Sequence, residues 1–344
     1  MKKVKVGNIT LGDKKEIVVQ SMLTTRRDDI EGAVAQAKRL EASGCQIVRL
    51  AIPDINAIKT ISALKENIGI PVVADIHFDY KLALEAVAAG VDKIRINPGN
   101  IGSDDKVKAV AVACSNAGVP IRIGVNGGSL EKSILAKYNS ATSDALVESA
   151  LYHASLLEKF DFNNLVISIK SSDVKTMIDG YRKLSKVCEY PLHLGVTEAG
   201  TTYMGVLKNA IGIGSLLSDG IGDTIRVSHT ADPVKEVEAA YDILTAIGLN
   251  KSGVEFVSCP TCGRCQIDLI PLAEKIEAAL KSCKKNIKVA VMGCAVNGPG
   301  EARDADIGIA GGKDEGLIFI KGEILRKVPY DVLFDEFMKE IDKL

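Results

Sequence analysis

Residues 93–98 read KIRINP, and the alternation within this stretch decides the fold class. Ile94 and Ile96 alternate with Arg95 and Asn97, so a β-strand would place the two polar side chains together on one face. Strands of a parallel sheet are buried, and reactive side chains gather where such strands end. The stretch therefore predicts a buried parallel strand that ends in functional side chains.

The same cadence of a short apolar strand followed by an amphipathic helix recurs from residue 16 to residue 228. The predicted strands are 17–22, 47–52, 72–76, 93–98, 120–125, 165–170, 191–196 and 224–228. The clearest helices are 30–42, 80–89, 106–117, 143–159 and 233–247. Alternating strands and helices pair in parallel through right-handed crossovers, and eight units over about 230 residues favour an α/β fold, a (β/α)8 TIM-type barrel. A doubly wound open sheet is the alternative. Residues 2–11 predict a small strand pair that caps the bottom of the barrel.

A second, smaller domain follows the turn-rich stretch GLNKSG at 248–253. Its predicted strands are 255–257, 288–292, 306–310 and 317–320, and its helices are 269–282 and 330–343. We therefore expect domain limits of 1–248 for the barrel and 254–344 for an α+β domain. A core of that size commonly relies on a bound metal for stability.

Composition excludes several classes of function. The formal net charge is −1, 4% of residues are aromatic and there is no Trp, which argues against nucleic-acid binding. No stretch approaches the ~18 apolar residues of a membrane span, and the N-terminal MKKVKVG lacks the apolar segment of a signal peptide. We expect a cytoplasmic protein whose eight cysteines are ligands or core thiols, not disulfides.

The predicted strand ends carry an unusual set of polar side chains. Five of these are cations: Arg49, Arg95, Arg122, Lys170 and Arg226. Each one alone could reach solvent or pair with a neighbouring acid. Five at one mouth of a nearly neutral protein instead indicate a multiply charged anion, and a diphosphate is the natural candidate.

Three further side chains are acid–base candidates. Asp75 and His77 end one strand, and Glu198 ends another in the segment GVTEAG at 195–200. We expect apolar walls to raise the pKa of Glu198 so that it can donate a proton. The competing interpretations are a loop histidine at 77 and, at 198, a charge that complements a helix dipole.

Two cysteine-bearing segments predict a metal centre. Residues 258–265 read SCPTCGRC, and residues 292–301 read MGCAVNGPGE. Cysteines in such tight turns can bind one zinc ion or an iron–sulfur cluster. The carboxylate at the end of the second segment indicates a catalytic centre, because structural sites and electron carriers usually prefer thiolates.

The chain resembles, nearly end to end, the bacterial 4-hydroxy-3-methylbut-2-enyl diphosphate synthases of the non-mevalonate isoprenoid pathway. The resemblance rests on the segments VQSM (19–22), ADIH (74–77), RINPGN (95–100), RVS (226–228), SCPTC (258–262) and NGPGE (297–301). It implies reductive ring opening and dehydration of 2-C-methyl-D-erythritol 2,4-cyclodiphosphate to the linear hydroxymethylbutenyl diphosphate. Two electrons would arrive through a [4Fe-4S] cluster from ferredoxin or flavodoxin.

The resemblance also implies roles for individual residues. The cluster ligands would be Cys259, Cys262, Cys294 and Glu301. The substrate contacts would be Arg49, Asp75, His77, Arg95, Arg122, Asn126, Lys170 and Ser228, with Glu198 and Glu301 as catalytic residues. Cys265 departs from the family pattern, in which we expect a polar residue without a thiol, and it offers a further thiolate beside the cluster.

Chain geometry predicts a head-to-tail homodimer, which the resemblance also implies. The last barrel helix would descend about 22 Å from the mouth. The six-residue linker reaches at most about 20 Å. The cluster domain would therefore serve the barrel of a partner chain. Two other classes remain open: a non-redox barrel lyase of the pterin or phosphosugar type with a structural zinc, and an electron carrier with the barrel as scaffold.

Overall fold

Eight parallel strands form the central sheet of the computed structural model, which describes residues 1–250, 253–281, 283, 285–294, 300 and 302–344. A hairpin of strands β1 (Val4–Val6) and β2 (Ile9–Leu11) precedes this sheet. The central strands are β3 (Val18–Met22), β4 (Ile47–Ala51), β5 (Val72–Asp75), β6 (Lys93–Ile96), β7 (Ile121–Asn126), β8 (Leu165–Lys170), β9 (His193–Leu194) and β10 (Thr224–Ile225).

The sheet closes into a barrel. Strands β3 to β8 pair in sequence, and β10 lies between β3 and β9. A parallel bridge between Ile167 and Leu192 joins β8 to the segment that leads into β9. The closure confirms the TIM-type barrel, since an open doubly wound sheet would leave two edges.

Ten helices are described between Ile30 and Ala246, and most of them cover the outside of the barrel. Helix α1 begins at a side-chain cap, because the Asp29 carboxylate accepts a hydrogen bond from the Gly32 amide at 2.8 Å. The helices are α1 (Ile30–Ala42), α2 (Ile58–Asn67), α3 (Tyr80–Ala88), α4 (Pro98–Ile101), α5 (Asp104–Ala117), α6 (Lys132–Tyr138), α7 (Ser143–Glu158), α8 (Val174–Val187), α9 (Thr202–Ser218) and α10 (Pro233–Ala246).

The N-terminal hairpin closes the bottom of the barrel, as the sequence predicted. Val4, Val6 and Leu11 pack in one buried cluster with Val18, Ile47, Val73 and Val166 from four barrel strands. This apolar plug seals the end of the barrel opposite the strand ends. The polar side chains therefore open toward one mouth only.

Among its described residues, the second unit contains a five-stranded sheet and the helices α11 and α12. Strands β11, β12 and β13 pair in parallel, and β14 and β15 extend the sheet in antiparallel fashion. The bounds are β11 (Val254–Ser258), β12 (Ile287–Met292), β13 (Ile307–Gly311), β14 (Glu315–Ile320), β15 (Glu323–Pro329), α11 (Leu269–Leu280) and α12 (Leu333–Lys343). The helices bury Leu272, Ile276, Phe337 and Ile341 against the sheet.

The chain divides into two compact units, Met1–Leu244 and Thr245–Leu344. Within the described ranges, no helix combines the length and the apolar character that crossing a bilayer requires.

Candidate active site

A buried carboxylate organises the cations at the barrel mouth. Asp75 ends β5, and its Oδ1 accepts a hydrogen bond from Arg95 Nη1 at 3.1 Å. Arg49 Nε lies 3.6 Å from Asp75 Oδ2, and His77 Nε2 lies 3.5 Å from the same oxygen. The structure thus brings together four residues that the sequence predicted, from three neighbouring strands.

Electrostatics keep Asp75 ionised. Burial alone would raise the pKa of this carboxyl group. The charge of Arg49, the hydrogen bond with His77 and the charge of Arg95 outweigh burial and hold the pKa well below its usual range. Burial lowers the pKa of Arg49 to about 10, against the opposing pull of Asp75. Arg49 also donates to the sulfur of Met22 at 2.8 Å, which fixes its side chain.

Two further predicted cations are buried more deeply. Arg122 on β7 is 1% exposed, and Lys170 at the end of β8 is 8% exposed. Burial lowers the pKa of both groups well below their ordinary values, and the surrounding arginines add to the effect. Buried like charges are costly unless a counter-charge arrives, so this pocket is suited to bind an anion.

Arg226, the fifth cation, is held by a carboxylate that the sequence analysis missed. Glu236, in the first turn of α10, lies 3.4 Å from Arg226 Nη2 and accepts a hydrogen bond from Ser21 Oγ at 3.1 Å. Glu236 is 5% exposed. The sequence does contain one sign of this role: Glu236 is an acidic residue on the apolar face of the helix that follows the last barrel strand.

Two further predicted contacts lie at or just beyond the ends of their strands. Asn126, the last residue of β7, aligns with Lys170 across the β7–β8 pair. Ser228 donates its hydroxyl hydrogen to the Val196 carbonyl at 2.6 Å, which orients the hydroxyl oxygen. Both residues belong to the same mouth as the cations.

His77 and Glu198 are exposed rather than enclosed. Glu198 has a φ of 52°, in the left-handed region, because it lies in the turn between β9 and α9. The exposure of Glu198 in the barrel unit differs from the enclosed carboxyl group that we expected. Its position above the mouth agrees with the prediction, whereas its surroundings do not.

Two glycines of the barrel interior were not recognised from the sequence. A Cβ atom on Gly124 would lie 2.3 Å from Arg95 Nε, and Arg95 Nη2 donates to the Gly124 carbonyl at 3.2 Å. A Cβ atom on Gly195 would lie 2.5 Å from the Arg226 carbonyl and 3.2 Å from Lys170 Nζ. Both glycines leave room for cations of the mouth. A single sequence does not show this requirement.

The second unit places two predicted ligands at the ends of adjacent parallel strands. Cys259 follows β11 and Cys294 follows β12, which pair in register up to Ser258 and Val291. Cys259 Sγ accepts a hydrogen bond from the Gly293 amide at 3.2 Å. The exposed Cys262 has a lowered pKa because the Arg264 backbone amide and guanidinium stabilise its thiolate.

Cys265 also lies beside this strand end. A Cβ atom on Gly293 would lie 2.6 Å from Cys265 Sγ, so the absence of a side chain at 293 gives that thiol its space. Glu301, the predicted fourth ligand and catalytic carboxylate, lies outside the described residues, as do residues 295–299. Within the described residues, no three side chains of the metal-binding types are grouped to hold a metal ion.

Comparison with known proteins places both units in one family. The GcpE TIM-barrel domain matches residues 1–241, and the GcpE protein C-terminal domain matches residues 255–343. A Clostridium acetobutylicum protein, 4-hydroxy-3-methylbut-2-en-1-yl diphosphate synthase (flavodoxin), is 59% identical over 343 residues, which cover 100% of this chain and 98% of that protein. A Clostridium perfringens protein of the same name is also 59% identical, with the same coverage.

A solved structure shares the barrel alone. Yersinia pestis dihydropteroate synthase superposes with a TM-score of 0.50 at 14% identity, covering 72% of this chain and 98% of that one. Such a likeness shows the fold and gives no support to a pterin reaction. The family matches, in contrast, extend over both units and over nearly the whole length of the relatives. The chain therefore belongs to the GcpE family.

Proposed function

We propose that this chain converts 2-C-methyl-D-erythritol 2,4-cyclodiphosphate into (E)-4-hydroxy-3-methylbut-2-enyl diphosphate. One observation carries the proposal: cations outnumber carboxylates at the barrel mouth. Four arginines and Lys170 lie there, and their carboxylate partners are Asp75 and Glu236. The name of the Clostridium relatives, at 59% identity over the full chain, supports the same reaction. A pure electron carrier would leave the cations without a role, and a lyase with a structural zinc would leave the carboxylate that follows the second cysteine segment without one.

The mouth cations would bind the diphosphate and stabilise the negative charge that ring opening produces. Arg95 and Arg49 are held in place by Asp75, and Arg226 is held by Glu236. Preorganised cations stabilise a developing charge better than mobile ones, because they need not reorient during the reaction. Arg122 and Lys170 would approach the phosphates from below, with Asn126 and Ser228 as polar contacts at the rim.

Proton transfer falls to the side chains at the rim. Breaking the ring C–O bond leaves the electron pair on a phosphate oxygen, and loss of the hydroxyl group as water consumes one proton. Glu198 is our candidate donor, since it is the carboxylic acid in the turn that follows β9. His77, paired with Asp75, orients the substrate from the opposite side of the barrel.

The two electrons require a redox group, and the cysteines fit an iron–sulfur cluster by their chemistry. Cys259, Cys262 and Cys294 would hold a [4Fe-4S] cluster together with Glu301. Cys259 and Cys294 follow adjacent strands, and the Cys262 thiolate is stabilised. These features are typical of iron ligands and not of thiols that pack in an apolar core. When bound, such a cluster supplies electrons one at a time. Cys265, although close, would remain a bystander.

Flavodoxin is the proposed electron donor, because the relatives carry it in their name. Ferredoxin is the alternative. The proposed domains are 1–248 and 254–344, and a cytoplasmic location stays a prediction. We also propose a head-to-tail homodimer. The connection between α10 and β11 supports it, because its seven residues span at most about 25 Å even when fully extended.

An anaerobic turnover assay tests the proposal. Full-length protein with reconstituted iron and sulfide is mixed with reduced flavodoxin and the cyclic diphosphate, and the products are identified by mass spectrometry. We expect one linear diphosphate for every two electrons consumed. A protein with a full iron and sulfide content that leaves the cyclic diphosphate unchanged would contradict the proposed reaction.

A further inference from the structure

A tyrosine side chain enters the barrel sheet between β8 and β9. The Ile167 amide of β8 donates a hydrogen bond to the Pro191 carbonyl at 2.9 Å. In a regular parallel ladder, the next such bond would join the Ile169 amide to the His193 carbonyl, two residues further along each chain. Instead, the Ile169 amide donates to the Tyr181 hydroxyl at 3.0 Å, and that hydroxyl donates to the His193 carbonyl. The hydroxyl therefore replaces a direct bond between the strands.

This hydroxyl is a fixed part of the barrel wall. Tyr181 comes from α8 and is 0% exposed. Burial raises the pKa of Tyr181 to about 12, so its hydroxyl stays protonated and can donate. An inserted oxygen replaces one hydrogen bond by two, so the backbone atoms on either side lie farther apart than in a direct bond. Tyr181 therefore sets the spacing of β8 and β9 next to the mouth.

An asparagine side chain binds the other side of β9. There the Arg226 amide donates to the Leu194 carbonyl at 3.0 Å, and the ladder ends. Beyond this point the Val196 amide donates to Asn209 Oδ1 at 3.2 Å, and Asn209 Nδ2 donates to the Ser228 carbonyl at 3.1 Å. Asn209 comes from α9 and is 0% exposed. The mouth end of β9 is thus bonded on both sides by side chains of outer helices.

Two glycines bring α9 close enough for this contact. Gly205, Asn209 and Gly212 are four and three residues apart, so they share one face of the helix. A Cβ atom on Gly205 would lie 2.5 Å from His229 Cβ, and one on Gly212 would lie 3.0 Å from Val196 Cγ2. The absence of both side chains lets the short amide of Asn209 reach the strand backbone.

The proposed phosphate contacts lie beside these two side chains. Lys170 directly follows the residue whose amide binds Tyr181. A Cβ atom on Gly195 would lie 3.2 Å from Lys170 Nζ, so the lysine side chain extends from β8 to the backbone that follows β9. On the other side, Asn209 binds the carbonyl of Ser228. A change in either spacing would move a residue that we expect to contact the substrate.

From these bonds we infer that Tyr181 and Asn209 are positioning residues of the substrate site, which act through Lys170 and Ser228. The inference rests on the proposed function. In this role neither side chain touches the substrate, because the hydroxyl and the amide are already bound to the backbone. Without the Tyr181 hydroxyl, a buried amide and a buried carbonyl lose their partner, and the strands must shift to satisfy them. Lys170 shifts with its strand.

A double-mutant cycle on pyrophosphate binding tests the inference with full-length, cluster-loaded protein. Tyr181→Phe removes the hydroxyl and keeps the buried ring. We expect it to weaken pyrophosphate binding by about tenfold in an otherwise wild-type chain. In a chain that already carries Lys170→Met, the same change should weaken binding by less than about twofold, because the lysine through which Tyr181 acts is absent. Isothermal titration calorimetry measures the four dissociation constants.

Tyr241→Phe is the matched control. It removes a hydroxyl that donates to the Gly44 carbonyl at 2.7 Å, between α10 and the turn before β4, at the other end of the barrel. Both tyrosine variants should lower the midpoint of thermal unfolding, because each leaves a backbone group without its partner. Pyrophosphate binding should stay at the wild-type value in Tyr241→Phe alone.

Asn209→Ala with Ser228→Ala forms a second, independent cycle, which decides the question even if Tyr181→Phe does not fold. Its control is Gln46→Ala, because Gln46 Oε1 accepts from the Val19 amide at 2.8 Å at the end of the barrel away from the mouth. Non-additive losses of binding support the inference.

Unchanged binding in Tyr181→Phe would overturn the inference. Equal losses with and without Lys170 would overturn it as well, since a loss of packing alone does not depend on that lysine. In both cases wild-type protein still binds pyrophosphate, and the proposed function stands. Wild-type protein that does not bind pyrophosphate would contradict the proposed diphosphate site, and the inference would fall with it.

Discussion

Asp75 shows how one residue sets the properties of the mouth. Its carboxylate is 3% exposed and serves as counter-charge to Arg49 and Arg95, which come from the strands on either side of β5. Without it, two guanidiniums would be buried with no carboxylate between them. Breaking a buried ion pair by removal of one partner is strongly destabilising, whereas a surface pair contributes little.

Replacement of Asp75 by Asn should lower the free energy of unfolding by about 3–5 kcal/mol at neutral pH. Because the folded-state pKa of Asp75 is depressed, its contribution is fully present above the unfolded pKa of about 3.9 and is lost as pH falls toward the folded value. The gap between wild type and Asp75→Asn should therefore be constant above about pH 5 and narrow below about pH 4. Urea unfolding across this range measures it.

Asp219→Asn is the matched control, since Asp219 forms an exposed ion pair with Arg182 at 2.7 Å. It should change the free energy of unfolding by at most about 1 kcal/mol. A similar small effect for Asp75→Asn at neutral pH would show that Asp75 does not organise the cations.

At the scale of elements, periodicity predicted most of the barrel. Helix α1 was predicted with its observed bounds, because a regular apolar face follows directly on a capping aspartate. Strands β9 and β10 were predicted as 191–196 and 224–228, but each has only two ladder residues. Beyond them the two segments approach closely at Gly195, and the ladder is not continued. The alternation of apolar and polar residues in the sequence does not show where two strands approach too closely to continue their pairing.

Strand β15 was missed entirely for a related reason. Its burial pattern is mostly exposed, as expected of an edge strand, so no buried face marks it in the sequence. Its signal was the turn at Lys321 and Gly322, which have φ values of 49° and 82°. Two residues with positive φ between strands are typical of a tight hairpin.

Strand β7 carries a testable packing requirement at Gly124. An alanine there would place its Cβ 2.3 Å from Arg95 Nε and push the guanidinium away from Asp75. We expect Gly124→Ala to remain folded, since the end of a flexible side chain can move, and to raise KM for the cyclic diphosphate by about tenfold or more. Steady-state kinetics and circular dichroism measure the two effects.

Gly214→Ala provides the comparison, because a Cβ at Gly214 in α9 meets nothing within 4 Å. Gly214→Ala should leave KM unchanged. Its free energy of unfolding should equal or slightly exceed that of wild type, because alanine has a higher helix propensity than glycine. Equal kinetics in the two variants would mean that the position of Arg95 is not critical for substrate binding.

At the scale of the whole molecule, sequence reasoning predicted which residues gather at the mouth but not what holds them. Strand-end position is visible in one sequence, so Arg49, Asp75, Arg95, Arg122 and Lys170 could be identified. Glu236 and Gly124 act across long sequence separations, 215 residues in the case of the bond from Ser21 to Glu236, and only the fold brings the partners together. The sequence also did not show that Glu198 is exposed and that Lys93 is buried.

The central proposal is that the barrel cations and the cysteine ligands serve one reaction, with each active site assembled from two chains. Subunit mixing tests it most directly: Arg122→Met and Cys259→Ser chains are co-expressed, each with its own affinity tag, and mixed dimers are assayed anaerobically for turnover. We predict that each variant alone is inactive and that the mixed dimer regains turnover, because one of its two sites combines an intact barrel with intact cysteines. Wild-type turnover by either variant alone, or mixed dimers as inactive as their parents, would contradict the account.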